Sequence, residues 1–171
     1  MSIPAAEFSR LVPLTRLGVE PFRQEIAADE AERAALARRF GLVSLDRLSA
    51  TVELRREPRG TVLLTAEFAA EFAQQCVVSL EPVPGSVAAS FALRYGPAEA
   101  EPTADDDEEP AFEPLTSEAI DIGEAVAQEF SLSLPPFPRA PGAVVEGGVG
   151  TDEPAEGPFA ALERLVRREP H

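Results

Sequence analysis

The sequence predicts an α+β domain built mainly on antiparallel β-sheet. Three stretches alternate apolar and polar residues with period two, two others carry helical spacing, and clusters of turn residues separate them. The pattern leaves barrel-like closure of the sheet open. The expected organisation is one domain over residues 1–138 with a mobile acidic loop at 97–117, a flexible linker at 139–157 and a short amphipathic helix within 158–171. The acidic loop and the C-terminal tail are the parts expected to be disordered.

Phe8 to Leu14 and Phe22 to Ala27 are short apolar stretches separated by Thr15, Gly18 and Pro21, and they read as two strands with a connection. Asp29 to Phe40 comes next as a helix, with acids in its first turn, arginines in its last and Gly41 just beyond. Leu36 and Phe40 share one face and point inward, which leaves Arg33, Arg38 and Arg39 mostly toward solvent. In the next stretch Leu48, Ala50, Val52 and Leu54 face one way while Ser49, Thr51, Glu53 and Arg55 face the other. Glu57-Pro58-Arg59-Gly60 turns the chain into a return strand carrying Val62, Leu64, Ala66 and Phe68. After Cys76 to Leu80 and a break at Pro82, Pro84 and Gly85, a third alternation runs through Val87, Ala89, Phe91, Leu93 and Tyr95. Residues 97–117 combine proline with Asp105 to Glu109, a run whose self-repulsion and lack of apolar groups oppose ordering. Ser117 to Phe130 returns to helical spacing and stops at Leu134-Pro135-Pro136.

The tail from Pro158 to Arg168 places Phe159, Leu162, Leu165 and Val166 on one helical face. So short a helix is marginal alone, so this face is a candidate partner-binding surface, docking on its own domain or on another molecule.

The formal net charge of −15 is unevenly placed. Residues 1–94 hold 12 acids and 11 arginines, residues 95–138 hold 12 acids and no cation, and residues 139–171 hold 6 acids and 4 arginines. The body is therefore nearly neutral. Between residues 33 and 59, Arg33, Arg38, Arg39, Arg47, Arg55, Arg56 and Arg59 face only Asp46, Glu53 and Glu57, a local balance of +4. This is either a candidate RNA-binding patch or an ordinary solvated helix face and hairpin tip, since the one aromatic residue in the stretch, Phe40, faces inward and none is left for base stacking. Every cation is arginine, in keeping with a chain rich in Ala, Arg, Gly and Pro as well as with phosphate contact.

Catalytic chemistry is not expected. The single histidine is His171, and the single cysteine, Cys76, has no activating partner in the sequence and reads as a small buried hydrophobe. Gly147-Gly148-Val149-Gly150 lacks the lysine and hydroxyl of a phosphate loop, and Asp105 to Glu109 lacks the spacing of a calcium loop. No metal, cofactor or small-molecule substrate is expected. Met1 to Phe8 lacks signal-peptide character and no apolar run is long enough to span a bilayer, so a cytoplasmic protein without membrane contact is expected.

Several segments in order resemble the YceD family, named for large ribosomal RNA subunit accumulation and found in bacteria and plastids. They are Cys76-Val77-Val78-Ser79-Leu80-Glu81-Pro82-Val83, an acidic loop, Ile120-Asp121-Ile122-Gly123-Glu124, Glu129 through Pro135, and Gly157-Pro158-Phe159-Ala160-Ala161-Leu162. Many family members carry a second cysteine where this chain has Ser79, so a metal or redox role of that pair does not transfer. The resemblance implies an accessory role in the synthesis, processing or stability of large-subunit ribosomal RNA, through binding ribosomal RNA or a basic ribosomal protein. The alternative from another class is a ribosomal-RNA-processing enzyme.

Overall fold

In the computed structural model, which describes residues 6–100 and 110–144, the three alternating stretches lie side by side. A short ribbon pairs β1 (Leu11–Pro13) antiparallel with β7 (Ala119–Asp121). The main sheet has the order β2 (Phe22–Ala27), β3 (Ser44–Arg56), β4 (Val62–Gln75), β5 (Pro82–Gly96), β6 (Ala111–Pro114). Its neighbours are antiparallel except β5 and β6, which run parallel. The helices are α1 (Glu30–Phe40) and α2 (Ile122–Leu132), and all these elements belong to one unit that extends to Pro141.

The period-two reading holds. Leu48, Ala50, Val52 and Leu54 are buried on the inner face with Val62, Leu64, Ala66 and Phe68, and Leu93 is buried on the same face. β3 begins earlier than Leu48 because a register shift between Leu45 and Arg47 interrupts the alternation there. β4 runs on to Gln75, with Ala70 and Phe72 continuing the buried phase. β5 starts at Pro82 although its prolines read as a break, because proline is tolerated on an edge strand.

The sheet is not closed into a barrel. Among the described residues β2 pairs within it only with β3, and β6 only with β5. Helices cover the inner face instead: α1 packs against β3 and α2 against β4. Phe130 of α2 meets Phe40 of α1 and Phe72 of β4 edge to face, with ring centroids 5.9 and 5.6 Å apart.

Local chemistry sets the helix ends. Asp29 and Glu32 form a capping box at α1, and Gly41 ends it in the left-handed conformation at φ 65°. Helical spacing places the start of the second helix at Ser117, but it begins at Ile122. Residues 119–121 pair with β1, and the Asp121 carboxylate accepts from the N–H groups of Gly123 and Glu124. The same carboxylate accepts from Arg10 N–H at 2.7 Å and Ser9 Oγ at 2.6 Å, so one side chain caps α2 and ties down the N-terminal segment. Within the expected acidic loop, Ala98–Ala100 forms a 3-10 turn and β6 pairs with Leu93–Gly96, while residues 101–109 lie outside the described residues.

Candidate partner-binding surfaces

The seven arginines at 33–59 fall on two ends and two faces of the sheet. Arg33, Arg38 and Arg39 ride on α1, which covers the inner face, whereas Arg47 and Arg55 project from the outer face of β3. Arg55, Arg56 and Arg59 surround the β3–β4 turn, and the strand between Arg47 and Arg55 rises roughly 25 Å.

Most of these guanidiniums are already engaged. Arg39 bonds Glu124 in bidentate fashion at 2.7 and 2.9 Å and reaches Glu7 at 3.0 Å. Arg47 pairs with Glu71 at 3.1 Å and Arg55 with Glu53 at 2.8 Å. Arg33 donates to the Ala28 carbonyl, and Arg56 to those of Leu17 and Leu14. The exposed guanidiniums of Arg38 and Arg59 meet no partner among the described residues. The Arg39 pairing holds the Glu124 carboxyl below its ordinary range and raises Arg39. The candidate partner-binding residues Phe159, Leu162, Leu165 and Val166 lie outside the described residues.

The outer face carries arginines and glutamates together, most of them paired with each other. Cross-strand register aligns Glu25, Thr51, Glu67 and Ser90 in one row and Ala27, Ser49, Ala69 and Ala88 in the next. Together they line a shallow depression of about 830 Å³ with a floor of small side chains. Glu53 accepts from Arg23 and Arg55, but the carboxylates of Glu25 and Glu67 meet no partner among the described residues. The sequence reading missed these two carboxylates as a pair. Period two places each on the polar phase, but only the strand register puts them on either side of Thr51, roughly 10 Å apart.

At the β4–β5 turn, Cys76 is buried and its Sγ accepts backbone N–H bonds from Ala140 at 3.2 Å, Ser79 at 3.3 Å and Val78 at 3.4 Å. The Ala140 N–H first, then the Ser79 side chain and the remaining N–H donors, pull the thiol down to about 6. Ser79 thus contributes its N–H to the turn. Among the described residues no group of three His, Cys, Asp or Glu side chains is placed to hold a metal. No described helix is long and apolar enough to cross a membrane.

No curated protein and no solved structure matches the chain. The family model described as "Large ribosomal RNA subunit accumulation protein YceD" matches residues 64–166, a stretch that starts inside β4 and takes in the Cys76 turn, β5 and α2. With more than half of its residues in that match, and with the Cys76 and Asp121 segments in their expected order within it, the chain belongs to the YceD family.

Proposed function

We propose that this protein is a non-catalytic accessory factor for the synthesis, processing or stability of large-subunit ribosomal RNA, and that it acts by binding a basic ribosomal protein. Its family supplies the link to large-subunit ribosomal RNA. The observation that carries the choice of partner is the uneven engagement of charge. Glu25 and Glu67 stand without partners among the described residues on an open face of small side chains, while five of the seven arginines at 33–59 are bound to carboxylates or carbonyls. Phosphate binding needs clustered cations that are free to displace counterions, and Arg38 and Arg59 lie at opposite ends of β3. A cationic side chain, by contrast, finds two carboxylates and little steric obstruction on the outer face.

The test presents the full chain with large-subunit ribosomal proteins stripped of RNA and, separately, with large-subunit ribosomal RNA stripped of protein. Capture of a basic ribosomal protein that weakens with salt and with the double variant Glu25→Gln, Glu67→Gln is the expected result. Binding to RNA alone, lost on replacing Arg38 and Arg59 by glutamine, would overturn the choice of partner. Cleavage of precursor ribosomal RNA by the pure protein with magnesium would overturn the non-catalytic assignment.

A further inference from the structure

We infer that the edge of β5 that faces away from β4 takes up an extended segment of that basic partner as an added strand, with its cationic side chains lying across Ala88 and Ser90 toward Glu67. The inference rests on the protein-partner reading above and specifies how the contact is made.

Four observations place the contact there. β6 pairs with β5 only at Leu93–Gly96, so among the described residues no strand pairs with Pro82 to Ala92 on the side away from β4. The direction of the backbone groups is set by register, which runs unbroken from Val62↔Tyr95 to Gln75↔Pro82. Cys76 N–H donates to the Glu81 carbonyl at 2.8 Å, so odd-numbered residues of β5 point their polar backbone groups at β4. Even-numbered ones point away, as Gly96 shows by accepting from Leu115 N–H at 2.7 Å. Pro82 and Pro84 fall on the outward parity, where no ladder bond is lost. Ser86, Ala88 and Ser90 therefore present N–H and C=O groups that meet no partner among the described residues, along an edge stretch that carries no charged side chain.

The two faces of that edge specify the occupant. On the inner face Val87 and Phe91 are only half-buried, whereas Ala70 and Ala66 opposite them on β4 are buried, so alternate apolar residues of an added strand would complete the cover. On the outer face Ser90 lies opposite Glu67, which meets no partner among the described residues, whereas Glu71, opposite Ser86, is already paired with Arg47. An added strand would run two strand spacings, roughly 10 Å, from the Glu67 carboxylate, with only small side chains between, a gap that arginine or lysine spans together with a glutamate. The complement is a strand alternating cationic with apolar residues. A second copy meeting this edge through its own β5 would bring Ser86, Ala88 and Ser90, and no cation, toward Glu67.

Amide hydrogen exchange on the full chain, titrated with a synthetic peptide alternating arginine and valine, tests this. Slowed exchange at Ser86, Ala88 and Ser90 is expected, with none from a peptide alternating glutamate and valine. Ala88→Pro removes one outward N–H without touching the β4 ladder and should weaken peptide binding by at least about tenfold with the melting temperature little changed. Should that variant unfold, the exchange pattern of the unaltered chain decides alone. Protection confined to β2, protection without peptide that grows with protein concentration, or undiminished binding by a folded Ala88→Pro variant each overturns the edge assignment. The broader reading survives any of these if ribosomal-protein capture still falls with the Glu25 and Glu67 variants, and it fails if only RNA is bound.

Discussion

Leu54 and Leu64 face each other across β3 and β4 at 1% and 0% exposure, so neither side chain has room to relax toward water. Leu64→Ala is expected to cost about 2–5 kcal/mol, read as a lower denaturant midpoint with unchanged slope. A value under about 1 kcal/mol would place Leu64 outside the packed core. Charge behaves differently at this scale, because the sequence sums charges and the fold pairs them. Glu124 is bound by Arg39 and its carboxyl is held below the ordinary range, so the pair stabilises the fold above the unfolded-state pKa of glutamate. That stability is lost as pH falls through the lowered folded-state value. Glu124→Gln should therefore lower stability near neutrality and flatten its decline in acid, and parallel acid limbs for the two proteins would refute the coupling. Nothing in the local sequence of Arg39 points to Glu124, which lies 85 residues away.

Elements show where local signals suffice and where they do not. α1 matches its expected span because its capping box, its apolar spacing and Gly41 all lie within the segment itself. The start of α2 depends on a distant partner: Ala119–Asp121 shares the helical spacing of Ile122, Val126 and Phe130, yet β1 offers it a ladder. Gly123 marks the same junction. A Cβ there would collide with the Phe8 carbonyl oxygen and crowd Arg10 N, both backbone atoms that cannot swing aside. Gly123→Ala is expected to destabilise by about 1–3 kcal/mol although alanine is the better helix former. A neutral or stabilising outcome in thermal unfolding would show that α2 and the N-terminal segment do not pack this closely. β6 teaches the same lesson, since four residues beside an acidic run, Ala111–Pro114, become a strand only because the end of β5 is available.

At the scale of the whole molecule, family membership leads to a cellular expectation. Depleting the protein should lower large-subunit ribosomal RNA relative to small-subunit RNA, and equal loss or no loss of the two would count against the proposed role. The fold class was open to sequence reasoning because burial imposes a period on every strand and helix. Three alternations of Val, Leu, Phe and Ala therefore announced a sheet with one covered face. The sign of each segment was equally visible in the residues. Tertiary structure alone decided the sheet order, its openness and the direction of the β5 edge, because strand pairing joins residues whose separation along the chain leaves no local trace. It likewise decided which charges remain available. Whether an arginine or a glutamate meets a partner depends on register and docking, so five arginines of the expected patch became engaged while Glu25 and Glu67 were left facing solvent.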